Sequence, residues 1–331
     1  MKHARLELAR SAELLPELSG QIAVFGQIEL ERLRGLDHDR LRCVNHSFAA
    51  TENLTKSGVN IARELSETPD HAVVFVPRSK SEAWHLIGSA RQSAPNGWII
   101  VDGQKTDGIE SISKQIARKV PDVAVYSKGH GKTVWFRAED AVFLDEFLLK
   151  PNENQGGYQT APGVFSADHI DPASEMLVNE IPRDLSGQFG DIGAGWGYLS
   201  ERLLKENLAI SALHLVEDNG IALDCARSNV LDSRAEFYWA DALRWTPSKL
   251  LDGIVMNPPF HKGRSAEPEL GKDFVKSAAR MLRPGGKLFM VANAHLPYET
   301  ILEQCFAKSE LLARSNKFKV FCATRGRDRL S

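Results

Sequence analysis

Cysteine is scarce in this chain of 331 residues. The four cysteines are scattered, and none has a partner at the spacing of paired metal ligands: Cys43, Cys225, Cys305 and Cys322. This pattern argues against a disulfide framework and a structural zinc site, and it favours a reducing compartment. We therefore expect a cytoplasmic protein that holds no metal.

Long hydrophobic runs and an excess of positive charge are missing as well. No segment approaches the roughly 18 consecutive apolar residues of a membrane span. The first residues, Met1 to Glu7, lack the apolar core of a signal peptide, so we expect neither secretion nor a membrane partner. The formal net charge of -2 is unlike that of a protein that coats nucleic acid. Any RNA contact must therefore use local basic patches.

The composition is that of a soluble globular protein, with 43% hydrophobic and 25% charged residues. The length predicts two domains, and the polar, turn-rich stretch Pro151 to Gly157 is the best boundary, giving domains 1–150 and 151–331. In the first half, a strand at Ala72–Val76, a helix at Lys80–Arg91 and a strand at Trp98–Gly103 follow one another. This alternation predicts an α/β fold with parallel strands.

The sequence Asn257-Pro258-Pro259-Phe260 directly follows an apolar run, Leu251 to Met256. The run predicts a buried parallel strand that the prolines terminate, and ligands bind at such strand ends in open α/β sheets. The amide oxygen of Asn257 and the carbonyl of Pro258 can orient an amine with a poorly available lone pair, while Phe260 can stack on a planar base. Taken alone, the same residues also fit an ordinary proline turn.

A glycine-rich stretch, Gly190 to Gly197, precedes a predicted helix. Alternate glycines let the backbone turn sharply and approach a ligand, although this pattern alone would equally fit an NAD site. Glu217 and Asp241 end the next two predicted strands, where an acid can bind ribose hydroxyls or an adenine amino group. Together with Asn257, these residues form an ordered set of polar groups at successive strand ends.

The two halves of the chain share a pattern of strand, proline, helix, glycine turn and strand. Residues 70–103 align with residues 252–294, and in this alignment Val76 takes the position of Asn257. The first copy also lacks the glycine loop. We therefore predict a duplicated domain in which only the second copy keeps its site.

These motifs resemble those of class I S-adenosylmethionine-dependent amino-methyltransferases, and more closely the bacterial small-subunit rRNA guanine-N2 methyltransferase family. Resemblance is specific over about residues 155–325 and includes Pro162 to Ser166, Val291 to Ala294 and Leu296 to Tyr298. The segment Asp171 to Ser174 departs from the more apolar, glycine-containing approach of that family. The resemblance implies two tandem Rossmann-like methyltransferase domains, of which the N-terminal one is degenerate and serves RNA contact or structure.

The resemblance also implies the roles of individual residues. Catalysis would fall to Asn257, Pro258, Pro259 and Phe260. The cofactor S-adenosylmethionine would be bound by residues of the glycine loop and the following strand ends: Asp191, Ile192, Gly193, Ala194, Gly195, Gly197, Glu217, Asp241 and Ala242. The substrate would be bound by aromatic and basic residues: Phe165, His261, Lys262, Lys317 and Lys319.

The implied substrate is guanine N2 in 16S ribosomal RNA, either naked or in an assembled ribosomal subunit, and we expect a monomer. Three alternatives remain open. Large-subunit guanine-N2 methyltransferases share most of these motifs. A protein glutamine methyltransferase could use the same Asn-Pro-Pro group, because a side-chain amide has a similarly poor nitrogen. A non-catalytic RNA-binding assembly factor could retain a vestigial site, although the intact Asn257 and Asp191 argue against it.

Overall fold

The computed structural model describes residues 5–148, 152–259, 261–262, 265–266 and 268–327, with the backbone alone at residues 152, 261–262, 265–266 and 268. The chain divides into two compact units, Met1–Lys150 and Pro151–Ser331. Within the described residues, none of the helices has the length and apolar character needed to span a membrane.

A seven-stranded sheet organises the first unit, in the order β3-β2-β1-β4-β5-β7-β6. Its strands are β1 (Ile22–Gly26), β2 (Leu41–Val44), β3 (Ile61–Ala62), β4 (His71–Phe75), β5 (Trp98–Gln104), β6 (Ala124–Lys128) and β7 (Gly131–Arg137). The helices are α1 (Arg5–Ser11), α2 (Phe48–Lys56), α3 (Lys80–Ser93) and α4 (Ile109–Lys119), with 3₁₀ turns at His38–Arg40, Lys105–Asp107 and Ala138–Phe147.

The second unit contains a sheet of the same order, β10-β9-β8-β11-β12-β14-β13. Its strands are β8 (Gly187–Ile192), β9 (Ile210–Glu217), β10 (Ala235–Trp239), β11 (Leu251–Met256), β12 (Leu282–Asn293), β13 (Lys308–Arg314) and β14 (Phe318–Thr324). Its helices are α5 (Pro172–Glu180), α6 (Tyr198–Glu206), α7 (Gly220–Asn229), α8 (Pro268–Met281) and α9 (Tyr298–Cys305). Two short ribbons pair Asn152–Glu153 with Gln159–Thr160, and His261–Lys262 with Ser265–Ala266.

Each sheet is mixed, which corrects the expectation of a purely parallel first half. In the first unit, β7 runs antiparallel to both β5 and β6. The cause is the tight turn between β6 and β7, where Gly129 and His130 both have positive φ, at 59° and 58°. Two successive residues with positive φ are typical of the turn that closes a two-residue hairpin. The predicted α/β class with tandem Rossmann-like units is confirmed.

The internal duplication extends to single hydrogen bonds. The tetrapeptide Leu-Ser-Gly-Gln marks the start of the first strand of both sheets: residues 18–21 directly precede β1, and residues 185–188 include the first two residues of β8. In each copy the glutamine N–H donates to an aspartate carboxylate oxygen at 2.7 Å, from Gln21 to Asp70 and from Gln188 to Asp252. This shared contact aligns β4 with β11 and places Phe75, rather than Val76, at the position of Asn257.

Candidate active site

Polar groups line the carboxyl edge of the second sheet, where four adjacent parallel strands end. The glycine loop, Gly193–Gly197, follows β8, and Glu217 ends β9. Asp241 lies two residues past the end of β10, and Asn257 lies directly after β11. Because β10, β9, β8 and β11 are neighbours in that order, the polar residues predicted from the sequence lie along one edge.

The glycine loop is anchored by backbone contacts and borders open space. The N–H groups of Gly193 and Ala194 donate to the carbonyl of Val216 at 2.8 and 3.1 Å. Gly195 has a φ of 56°, and no atom of the described residues lies within 4 Å of the position that its Cβ would take. Glycine therefore permits both the left-handed backbone and the close approach of a ligand at this point.

The Glu217 carboxylate holds the glycine loop in place. Its Oε2 accepts the N–H of Gly195 and its Oε1 accepts the N–H of Asn219, both at 2.8 Å. Burial raises the pKa of Glu217, and the two N–H donors oppose that rise by favouring the charged form. Each carboxylate oxygen has a further lone pair, so Glu217 can support the loop and still accept a ligand hydroxyl.

Asp191, near the end of β8, has its side chain completely buried. The Ser200 hydroxyl donates to its Oδ2 at 2.7 Å, whereas Oδ1 is buried with no hydrogen-bond partner in the described part of the chain. Burial, reinforced by the charge of Glu217, raises the pKa of Asp191 to about 7. A buried acceptor without a partner is costly, so this oxygen fits a ligand that brings a cationic donor.

The Asn257 amide is held in one orientation by residues of the first turn of α5. Its Nδ2 donates to Asp171 Oδ2 and to Ser174 Oγ, each at 2.9 Å. The opposite atom, Oδ1, is buried and accepts no hydrogen bond from the described residues. The following Pro258 is buried and Pro259 is exposed. The strand end therefore offers a fixed, unused amide oxygen.

A cavity of about 40 Å³ lies between the glycine loop and Asn257, and neither Asp191 nor Glu217 lines it. Its lining combines the glycine loop with the surroundings of Asn257: Phe165, Asp171, Ser174, Gly193, Ala194, Gly195, Trp196, Tyr198, Leu199 and Asn257. A larger cavity of about 580 Å³ lies in the first unit and is lined by none of the residues that the sequence singled out as a site. The chemistry of the lining, rather than cavity size, therefore identifies the candidate site.

Asp241 and Ala242 lie on the same edge but do not line that cavity. Asp241 Oδ1 accepts the N–H of Leu243 at 2.9 Å, which fixes the turn after β10. Ala242 is buried, and its carbonyl accepts the Ser277 hydroxyl of α8 at 2.9 Å. Both residues remain candidates for contact with the adenine of a cofactor whose ribose is bound by Glu217.

The predicted substrate residues are placed very differently. Phe165 has a side chain that is 60% exposed at the cavity, while its carbonyl accepts the indole N–H of Trp196 at 2.8 Å. Lys317 is exposed in the turn before β14. Lys319 is buried and its Nζ pairs with Glu299 at 2.5 Å, so a phosphate contact there would require breaking an ion pair. Phe260 and the side chains of His261 and Lys262 lie outside the described residues.

Sequence reasoning missed the part that Asp171 and Ser174 play at the site. Helix α5 begins at Pro172, with Asp171 as its N-cap. Aspartate followed by proline at the first helical position is a strong local signal for a helix start. That signal predicts the cap, but contact with Asn257, 86 residues away in sequence, depends on the fold.

Comparison with known proteins agrees with this geometry. The Methyltransferase small domain family matches residues 156–322. Ribosomal RNA small subunit methyltransferase C of Shewanella baltica is 30% identical over 97% of this chain and 94% of its own length, and that of Shewanella loihica is 29% identical over 88% and 83%.

A solved structure supports the fold over nearly the whole chain. The T. thermophilus 16S rRNA N2 G1207 methyltransferase (RsmC), in complex with AdoMet and guanosine, matches with a TM-score of 0.78. The match covers 98% of this chain and 91% of that one at 24% identity, and it shows a common fold. From the sequence relatives and this shared fold, the chain belongs to the ribosomal RNA small subunit methyltransferase C family, within the class I S-adenosylmethionine-dependent methyltransferases.

Proposed function

We propose that the chain transfers a methyl group from S-adenosylmethionine to the exocyclic N2 amine of a guanine in 16S ribosomal RNA. The observation that carries this proposal is the Asn257 amide, whose oxygen is buried, unused and fixed at the carboxyl end of β11. An oxygen of this kind is suited to accepting an N–H bond from an amine. Guanine N2 is such an amine, and guanosine is the nucleoside bound by the T. thermophilus relative.

The glycine loop and the two acids fit the cofactor. Asp191 Oδ1 is a buried acceptor that the amino group of a methionine moiety would satisfy. The open space beside Gly195 allows close approach of the ligand to backbone N–H groups, which suit its carboxylate. Glu217 would bind the ribose hydroxyls, and Asp241 with Ala242 would border the adenine. When bound, S-adenosylmethionine supplies an electrophilic methyl group for direct displacement by the amine.

Asn257 contributes alignment and electrostatic stabilisation rather than base catalysis, because an amide does not take up a proton at ordinary pH. Its oxygen would accept one amine N–H and so orient the nitrogen lone pair out of the base plane. Partial negative charge on that oxygen also stabilises the positive charge that grows on nitrogen. The carbonyl of Pro258 can accept the second N–H, and the extra proton leaves afterwards to water.

Nucleoside analysis of ribosomal RNA tests this proposal. Purified chain is incubated with small ribosomal subunits from cells that lack it, using S-adenosylmethionine with a labelled methyl group, and large subunits serve as the matched control. We expect labelled N2-methylguanosine in 16S RNA only. Label confined to large-subunit RNA would show that the substrate is large-subunit RNA and not 16S RNA. Label on protein glutamine, or none at all, would overturn the proposal.

A further inference from the structure

We infer that Asp171 and Ser174 are positioning residues that lock the Asn257 amide with its oxygen towards the substrate, so that the site accepts an amine rather than a carbonyl. This inference deepens the proposed function and rests on it for the identity of the substrate. The structure supplies it through two hydrogen bonds and one unused oxygen. Neither residue was singled out by the sequence as part of the site.

Both N–H donors of the Asn257 amide are already used in hydrogen bonds. A primary amide has two N–H donors and one oxygen acceptor. Both Nδ2 contacts are to good acceptors, a carboxylate oxygen of Asp171 and the hydroxyl oxygen of Ser174, at 2.9 Å each. No donor of Asn257 is left for the substrate. A substrate can therefore meet only the Oδ1 acceptor, which requires a donor such as an amine N–H and excludes a carbonyl.

The reversed amide is unfavourable for two reasons. Rotation by 180° would lose the hydrogen bond to Asp171 and would set the amide oxygen against that carboxylate, and only the Ser174 hydroxyl could turn to donate to it. A buried oxygen beside a carboxylate, with no donor between them, is destabilised by repulsion as well as by desolvation. The orientation with Oδ1 free is therefore strongly preferred.

The two acceptors are themselves rigid. Asp171 is the N-cap of α5, and the same Oδ2 that accepts from Asn257 accepts the Ser174 N–H at 2.8 Å. Pro172 at the first helical position fixes the backbone of this turn. Ser174 is 7% exposed, and the neighbouring Ala173 and Leu177 are buried in the core of the second unit. The helix start therefore acts as a fixed frame for the amide.

Charge on Asp171 adds an electronic effect to the geometric one. A hydrogen bond from an amide N–H to a carboxylate draws electron density towards the amide oxygen, because linked hydrogen bonds polarise one another. Oδ1 of Asn257 becomes a stronger acceptor as a result. It then stabilises more of the positive charge on the attacking amine than an unpaired asparagine would.

Hydrogen exchange of the Asn257 side-chain N–H₂ group tests the geometry without any turnover. In wild-type protein labelled with ¹⁵N, both amide protons should exchange slowly, because both are hydrogen-bonded. Ser174→Ala should speed exchange of one proton, and Asp171→Ala should speed exchange of both, since its loss also removes the helix cap. Fast exchange of both protons in the wild type would overturn the inference.

Single-turnover methyl transfer to small ribosomal subunits tests the chemical consequence. Asp171→Ala and Ser174→Ala should each lower the rate about tenfold or more, with the affinity for S-adenosylmethionine changed by less than about threefold. Asp171→Asn keeps a good helix cap and a neutral acceptor, so it should lose less than Asp171→Ala. Ser79→Ala, which removes the N-cap of α3 in the first unit, is the matched control and should keep the full rate.

A reciprocal exchange separates positioning from a general loss of stability. Asn257→Asp alone places two carboxylates side by side and should nearly abolish transfer. Adding Asp171→Asn removes one of the two adjacent negative charges and should recover at least about tenfold. A double variant no faster than Asn257→Asp, or alanine variants at the wild-type rate, would overturn the inference. Absence of N2-methylguanosine in wild-type reactions would instead reject the proposed function, and the exchange measurement would still decide the positioning role.

Discussion

At the scale of single residues, the proposed catalysis depends on the amide of Asn257. Because this amide is proposed to act on the amine and not on the cofactor, Asn257→Ala should leave S-adenosylmethionine affinity nearly unchanged. The single-turnover rate should fall by roughly two to three decades, as for the loss of one preorganised polar group in a site without water. Rapid-quench kinetics and cofactor titration measure the two quantities. A variant with the wild-type rate would reduce Asn257 to a turn residue.

Asp191 is the residue at which stability and cofactor binding are opposed. Its pKa is about 7 in the fold, against an ordinary value of 3.8, so between about pH 4 and pH 7 the folded chain holds a proton that the unfolded chain has lost. The free energy of unfolding therefore falls as the pH rises across this window. At every pH above about 7, the cofactor-free protein is destabilised because it buries an ionised Asp191.

We predict that Asp191→Asn is more stable than the wild type at pH 8, by up to a few kcal/mol at about 1.4 kcal/mol for each unit of pKa shift. The same variant should bind S-adenosylmethionine more weakly, because a charged acceptor for the amino group is gone. Urea unfolding between pH 5 and pH 8 and cofactor titration test both effects. If the two proteins have equal free energies of unfolding at pH 8, the inference that an ionised Asp191 destabilises the fold is contradicted.

At the scale of elements, the glycine loop depends on the end of the neighbouring strand. Glu217 binds the N–H groups of both Gly195 and Asn219, so it couples the loop after β8 to the turn after β9. We predict that Glu217→Ala weakens S-adenosylmethionine binding by about one to two decades, which corresponds to roughly 1.5–3 kcal/mol for lost charge-assisted hydrogen bonds.

Glu217→Gln separates the two roles of this carboxylate. Its single amide oxygen can accept only one of the two backbone N–H groups, and its charge is gone, so part of the affinity should be lost. Calorimetry gives the affinities, and the amide exchange rate of Gly195 reports the state of the loop. Unchanged affinity in both variants would mean that another residue binds the ribose.

The turn before β14 lies at the same sheet edge as the site. The N–H of Ala294, which follows β12, donates to the carbonyl of Lys317 at 2.7 Å. Lys317 is exposed, whereas Lys319 is ion-paired with Glu299. If Lys317 contacts one RNA phosphate, Lys317→Gln should reduce the magnitude of the slope of log binding constant against log salt concentration by about 0.7–0.9.

Lys249→Gln is the matched control for this experiment. Lys249 is also exposed, but it lies before the amino end of β11, at the edge opposite Asn257. Its replacement should leave the slope unchanged. Equal slopes for wild type and Lys317→Gln would show that the RNA lies elsewhere.

At the scale of the whole molecule, the two units share a fold but not a site. The alignment through Gly20 and Gly187 puts Val24 at the position of Asp191, and Ile28 at that of Gly195. Phe75, at the position of Asn257, is 1% exposed and belongs to the apolar core. The first unit therefore lacks the buried acid, the open glycine and the amide.

We predict that one chain binds one molecule of S-adenosylmethionine. Titration calorimetry of the full chain should give a stoichiometry near one, and Asp191→Asn should weaken that single event. A stoichiometry near two would contradict the assignment of the first unit as degenerate. The first unit remains a candidate for RNA contact or for structural support.

The sequence by itself determined the α/β class, the repeated pattern of strands and the polar group at each strand end. These features are local, because strand periodicity, glycine turns and proline stops act over a few residues. β11 has the predicted bounds, Leu251–Met256, for this reason. In contrast, β8 is weakly apolar as a sequence, and Phe189 is accommodated only because Gly253 of the neighbouring strand leaves room for its ring.

Only the tertiary structure decided the orientation of the Asn257 amide, the ion pair that occupies Lys319 and the position of Phe75 in the first copy. Each depends on residues far apart in sequence, such as Asp171 and Asn257. A hydrogen-bond partner at that distance is selected by how strands and helices pack, and a strand register is fixed by the neighbouring strand. Sequence pattern therefore located the site, and packing determined which of its atoms are free to act.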